Sequence, residues 1–287
     1  LQTSMLVSQG GANYGLCACP EGQNATDANC YWDDLACDGQ IGGNGGDISL
    51  RTNVSASDND TEGLFNFSAN TTLMSTGGHS LFTGGNAGFI KLNAVHTDDA
   101  DVDTASHVLA ATYISDGGYA LLDPVFTASG SAGNGNLILV QLNAKSTVSG
   151  TLSSRGGLSQ GSNGGTGNHI EVRTDCGTLN GDACSPDAAA ESAATLDFAG
   201  LIDASGGASF GALAGNAGTI GLSASAHLNI SQDASLIANG GIRLDTSSSP
   251  AQGAVGTEEA AAGDIITNYF NPGIHIKTTL GHAVADP

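Results

Sequence analysis

Six times along the chain a short alternation of apolar and small residues runs into a Gly-Gly pair: SMLVSQGG, TTLMSTGG, ATYISDGG, GTLSSRGG, GLIDASGG and SLIANGG. Leu6, Leu73, Tyr113, Leu152, Ile202 and Leu236 share one position. Ser8, Ser75, Ser115, Ser154, Ala204 and Ala238 share the position two residues later. The places between and after them vary freely, with Val7, Met74, Ser153 and Asp203 in one and Gln9, Thr76, Asp116 and Arg155 in the other. Period-two alternation of this kind marks a strand with one buried face. A motif kept in register six times constrains the fold more than any other feature here. One such unit cannot bury its own apolar face, whereas stacked units can.

A second strand follows each glycine-rich stretch, in GGDISLRT, AGFIKLNA, LILVQLNA, GNHIEVRT, AGTIGLSA and AGDIITN. Its inward pairs read Ile48 and Leu50, Ile90 and Leu92, Val140 and Leu142, Ile170 and Val172, and Ile220 and Leu222, with Ile265 last. A looser third strand carries Phe65 and Phe67, Leu196 and Phe198, and Leu228 and Ile230. The unit is thus three short strands recurring about every 34 to 50 residues, with loop insertions absorbing the differences. The expected fold is all-β: a parallel β-helix, or β-solenoid, with three short strands per coil. The crossover preference makes it right-handed. Gly and Asn suit its corners, and a narrow interior accounts for the Ser and Ala column.

Composition alone argues the other way. The 287 residues include 43 Gly and carry a net charge of −21, with 7 Lys plus Arg. High charge with modest hydrophobicity is the signature of disorder, but six coincident apolar positions are not a property of disordered tracts. A β-sandwich also has many short strands, yet does not hold one motif in register. The charge excludes nucleic acid as a partner, since phosphate binding needs clustered cations, and disfavours anionic membrane surfaces. No apolar run is long enough for a spanning helix. The opening LQTSMLVSQGG lacks the features of a signal peptide, as expected of a processed chain.

Cys17, Cys19, Cys30, Cys37, Cys176 and Cys184 form two local clusters, which points to disulfides in an oxidising compartment. Cys176 and Cys184 bracket one loop. Cys17 and Cys19 sit too close to pair easily with each other, so each reaches Cys30 or Cys37. The alternative, a four-thiolate metal site, fits zinc-binding spacings poorly. Asn-x-Ser/Thr sequons stand at Asn24, Asn53, Asn59, Asn66, Asn70 and Asn229, as candidate glycosylation sites.

The phrases AGNAGTIGLSASAHLNISQDASLIANGG and GGNAGFIKLNA resemble the coils of filamentous-haemagglutinin-type exoproteins, over roughly residues 39–245. The resemblance implies a large, secreted, β-helical surface protein with an adhesive role. It does not extend to the Cys-rich segment 17–37, nor does the chain carry a recognisable copy of that family's secretion domain.

β-Helices also house polysaccharide lyases and hydrolases, which need clustered carboxylates, or a cation with a basic residue. Here Arg51, Lys91, Lys145, Arg155, Arg173, Arg243 and Lys277 are scattered one per coil or fewer, and Arg51 and Arg173 are expected to stack in an outer column. No H-x-x-x-H pair and no G-x-S-x-G elbow occurs. The expectation is a non-enzyme. In HTDDADVDTASH, His96 to His107, the alternating Asp99, Asp101 and Asp103 are candidate calcium ligands, and calcium is the one cofactor suggested. The segment lacks the following Gly and the bidentate Glu of an EF-hand, so an ordinary acidic surface loop is the competing reading. SDNDTE, residues 57–62, is a weaker case of the same kind.

The chain divides into residues 1–38, a closing strand plus a Cys-rich insertion, and residues 39–287, β-helix repeats with an incomplete last coil. The halves at the two ends are complementary. This suggests head-to-tail assembly through Leu6 and Ser8 at one end and Ile265, Ile274 and Ile276 at the other. The functional expectation is an extracellular or cell-surface structural protein whose main partner is itself, forming a filament, sheath or layer. The alternatives are an adhesin segment touching surface glycans and a polysaccharide-active enzyme.

Overall fold

The computed structural model describes residues 4–12, 41–54, 64–96, 106–121, 130–142, 145–174, 195–210, 213–224, 227–243 and 265–269. These residues contain strands, bridges and turns, and no helix. The strands form three parallel sheets. The first holds β1 (Ser4–Val7), β4 (Thr71–Met74), β7 (Thr112–Ile114), β10 (Thr151–Ser153), β13 (Leu201–Asp203) and β16 (Ser235–Ile237). The second holds β2 (Ile48–Val54), β5 (Ile90–His96), β8 (Ile138–Leu142), β11 (Ile170–Thr174), β14 (Ile220–Ala224) and β17 (Ile265–Tyr269). The third holds β3 (Asn66–Phe67), β6 (Ser106–Leu109), β9 (Lys145–Val148), β12 (Thr195–Phe198) and β15 (His227–Ile230). Each strand pairs with the strand three places along the chain, so the polypeptide visits the sheets in rotation. That is a parallel β-helix of three strands per coil.

The aligned columns of the sequence are columns of the structure. Leu6, Leu73, Tyr113, Leu152, Ile202 and Leu236 stand opposite one another in successive strands of the first sheet. From Leu73 to Ile202 they are fully buried. Successive members from Leu73 onward lie 40, 39, 50 and 34 residues apart, whereas Leu6 and Leu73 lie 67 apart. The longer first interval includes the Cys-rich stretch. β1 pairs with β4, so residues 4–7 form a strand of the first sheet.

The serines of the neighbouring column do more than save space. Ser75 donates its hydroxyl to the Gly46 carbonyl, Ser115 to Gly88 and Asn136, and Ser154 to Asn136. Each ties the end of a first-sheet strand to the start of the second-sheet strand. A buried carbonyl left without a donor costs about 1–3 kcal/mol, so serine is favoured here for its proton as well as its size.

Two expectations need correction. In the second sheet Ile138, not Val140, stands opposite Ile90 and Ile170, and Val140 stands opposite Leu92 and Val172. The shared Leu-Asn-Ala of QLNA and KLNA suggested the other alignment. β8 carries three inward residues, Ile138, Val140 and Leu142, so a slip of two keeps the same face buried. The third sheet also has strands β6 and β9 in coils where no third strand was expected. Their inward columns run Phe67, Leu109, Val148, Phe198 and Ile230, and His107, Ser146, Leu196 and Leu228. Two polar residues on the inward face hid the alternation. His107 is therefore not the end of an acidic loop. It is fully buried, accepts the Phe65 amide at Nδ1 (3.0 Å), and packs 5.9 Å from the Phe65 ring.

The Gly-Gly pairs are not simple corners. Where the path is described throughout, the chain leaves a first-sheet strand on an excursion and returns through a second glycine pair: Gly77–Gly78 returns at Gly84–Gly85, and Gly156–Gly157 at Gly164–Gly165. Outgoing and returning segments interleave along the solenoid. Amides of Gly43, Gly78, Gly85, Gly118, Gly133, Gly157, Gly165, Gly207, Gly215 and Gly241 donate in turn to carbonyls of Gly11, Gly43, Gly78, Gly85, Gly118, Gly133, Gly157, Gly165, Gly207 and Gly215. All these bonds are 2.7–2.9 Å long. A Cβ built on Gly157 would collide with the Gly118 carbonyl, and one on Gly206 with the Gly215 carbonyl. Close backbone approach explains glycine at both places. Beyond this neck, Ser80, Ala120, Ser159 and Ser209 bridge to one another as a fourth, buried column.

Candidate functional site

Where the outgoing glycines line up, they floor a furrow that runs along the stacking axis. Gly117, Gly156 and Gly206 form part of the floor. One wall carries Asp116, Arg155 and Ser205, each directly following the small-residue column in its coil; the other carries Tyr119, Leu158 and Ala208. Asp203 closes the group, and the concavity measures about 260 Å³.

The acidic and basic side chains are tightly arranged. Asp116 accepts four bonds: from the Ser153 hydroxyl (2.7 Å), the Arg155 amide (2.8 Å), and Arg155 Nε and NH2 (3.2 and 2.9 Å). The other guanidinium nitrogen, NH1, lies 4.0 Å from Asp203 Oδ2, too far for a good hydrogen bond. Asp203 Oδ1 accepts the Ser205 amide at 3.0 Å. Partial burial by itself lowers the Arg155 pKa, but Asp116 and then Asp203 outweigh it and hold the guanidinium above its usual value. The result is a half-exposed guanidinium held in place by the Asp116 carboxylate. Across the floor Tyr119 is exposed. Its ring stacks on His79 with centroids 4.5 Å apart, and its amide donates to His79 Nδ1 at 2.9 Å.

Sequence reasoning missed this group, because Asp116 and Arg155 fall in a column that varies. The available signal was opposite charge at one repeat position in consecutive units, ATYISDGG and GTLSSRGG. Stacked coils make such residues cross-strand neighbours.

Of the sites expected from sequence, Asp99, Asp101 and Asp103 lie outside the described residues, as do all six cysteines, Asn24, Asn59, Ile274 and Ile276. Among the described residues no group of His, Cys, Asp or Glu could hold a metal ion. Asn53 lies in β2, and Asn66 is exposed in β3. Asn70 is exposed in the turn before β4. Asn229 is exposed in β15 and donates to Asp197 at 2.7 Å. Arg51 and Arg173 do share an outer column, with Asn93 and Gln141 between them. Ile265 begins β17 opposite Ile220.

At the other end β1 is the edge strand of its sheet. Leu6 occupies the buried column yet is 46% exposed, against 2% for Leu73 beneath it, and Met5 and Val7 are exposed as well. No described helix is long and apolar enough to cross a membrane. No family model, curated protein or solved structure matches this chain.

Proposed function

We propose that this chain is a non-enzymatic structural protein of the cell surface, a β-solenoid subunit that assembles head-to-tail into an extracellular filament, sheath or layer. The observation that carries the reading is the exposed apolar edge of β1. Among the described residues β1 pairs on one side only, with β4, and its other edge, bearing the exposed Met5, Leu6 and Val7, is a template for another strand. The sheets are visited in unbroken rotation from β1 to β17. A second copy laid over the far end, beyond β17, would extend the same stacking of coils. A contact of this kind does not close on itself and yields a fibre. The cysteines, the sequons and the resemblance to secreted exoproteins support an extracellular setting, with calcium as the candidate ion of the Asp99–Asp103 stretch.

Electron microscopy and sedimentation of the purified protein test the reading. The expected result is fibres whose mass grows with concentration, and their loss in Leu6→Asp/Val7→Asp. Single particles of constant mass over a hundredfold range of concentration would contradict it.

A second reading, an adhesive segment, is favoured by the furrow, which combines an exposed aromatic ring with a fixed donor–acceptor array. Lyase or hydrolase activity has less support. The Asp116 carboxylate is fully engaged by Arg155 and Ser153, which leaves it no free lone pair for proton transfer.

A further inference from the structure

We infer that the furrow over Gly117, Gly156 and Gly206 is a binding site for a neutral saccharide chain lying along the solenoid axis. The inference deepens the adhesive reading and rests on it; it is independent of end-to-end assembly.

The shape comes first. Asp116, Arg155 and Ser205 repeat along one wall, and Tyr119, Leu158 and Ala208 along the other. Three coils at about 4.8 Å each make an elongated trough of about 10 Å, with no side chains on its floor. Such a trough suits a linear ligand with its own repeat. The chemistry comes second. Among the described residues Arg155 NH1 has no close acceptor and Asp203 Oδ2, 4.0 Å away, has no close donor. The gap between them suits a hydroxyl group, which donates and accepts at once. Ser205 adds a further hydroxyl on the same wall. Asp116, its oxygens occupied, is a positioning residue that holds Arg155 in place. Opposite, Tyr119, its ring stacked along the solenoid axis on His79 of the preceding coil, presents the exposed edge of a rigid, amphipathic ring to the ligand.

Charge settles the class of ligand. The furrow contains two carboxylates for one guanidinium, and the whole chain carries −21. Uronic-acid, sulfated or phosphorylated glycans are repelled by that balance, whereas neutral sugars are not.

The test is titration calorimetry of the full chain with cellohexaose, mannohexaose and chitohexaose, and with oligogalacturonate as the acidic comparison. At least one neutral hexamer should bind at about millimolar affinity or better, more tightly than its monosaccharide, and oligogalacturonate should not bind. Tyr119→Ala and Arg155→Gln should each weaken binding about tenfold while leaving the melting temperature within a few degrees. Arg155→Lys, which keeps the charge but loses the fork, should also weaken it. Leu6→Asp/Val7→Asp, which tests assembly, should bind as the parent does, so failure of one idea is distinguishable from failure of the other. Absence of binding by all three neutral hexamers overturns the inference. So does equal binding of oligogalacturonate, or binding that Tyr119→Ala and Arg155→Lys leave intact.

Discussion

The three-sheet core and the glycine neck stack the same coils by different physics. In the core, side chains fill the space. Leu73, Tyr113, Leu152 and Ile202 occupy one column although their shapes differ, because neighbouring columns adjust around them. In the neck, backbone meets backbone. The run of amide-to-carbonyl bonds from Gly241 back to Gly11 leaves no room for a Cβ at Gly157 or Gly206. The core therefore tolerates variety in its residues and the neck does not. This is why a chain so poor in aromatics and so acidic can still fold: part of its cohesion comes from hydrogen bonds that need no side chains.

That contrast can be broken most severely in the neck. Gly157→Val should cost about 4 kcal/mol or more, since the clash is with a carbonyl that is itself hydrogen-bonded. Urea denaturation followed by circular dichroism measures it, and a loss below 1 kcal/mol would mean the neck is looser than described. Leu152→Ala in the core should cost about 2–5 kcal/mol by the same assay. A core loss exceeding the neck loss would reverse the comparison.

A smaller effect, of opposite sign, is expected at Tyr113. Its hydroxyl is buried with no hydrogen-bond partner among the described residues, and the ring packs edge-on against Phe67 at 6.5 Å. Tyr113→Phe should stabilise the chain by about 1–2 kcal/mol. Burial pushes the phenol well above its usual pKa. The folded chain thus holds the proton more tightly than the unfolded one, so this contribution is level below about pH 10 and falls as pH rises beyond it. Tyr113→Phe should also shift alkaline unfolding to higher pH; an unchanged alkaline midpoint would show that the hydroxyl is solvated after all. The smallest effect belongs to the outer asparagine ladder beside the neck. There Asn86 accepts the Asn134 amide, and Asn134 in turn accepts the Thr166 amide and hydroxyl. Asn134→Ala should cost about 1 kcal/mol, and a larger loss in thermal melting would place the ladder on a par with the core.

The core was legible in the sequence where its inward residues are apolar. Leu73, Tyr113 and Leu152 could be aligned by eye, and they do stack. It was illegible where the inward residue is polar, as at His107 and Ser146, since alternation then disappears although the strand remains. At Ile138 the parity was readable but the register was not, because three inward residues in β8 offer two equivalent alignments. The neck was seen only as turns: Gly-Gly pairs advertise freedom of backbone, not which other backbone they approach. The furrow followed from stacking two residues of opposite charge, Asp116 and Arg155, which a one-dimensional reading treats as unrelated.

The central claim is that successive coils stack in one register, and β5 against β8 is where two registers compete. Lys91 stands opposite Leu139, both pointing outward. Cysteines introduced at those two positions would have Cα atoms about 4.8 Å apart, within disulfide range. Lys91 with Gln141 would be separated by about 8 Å, beyond that range. Peptide mapping by mass spectrometry after mild oxidation should find a 91–139 linkage in Lys91→Cys/Leu139→Cys and no linkage in Lys91→Cys/Gln141→Cys. A 91–141 linkage, or none in either pair, would contradict the stacked register on which the core, the neck and the furrow all depend.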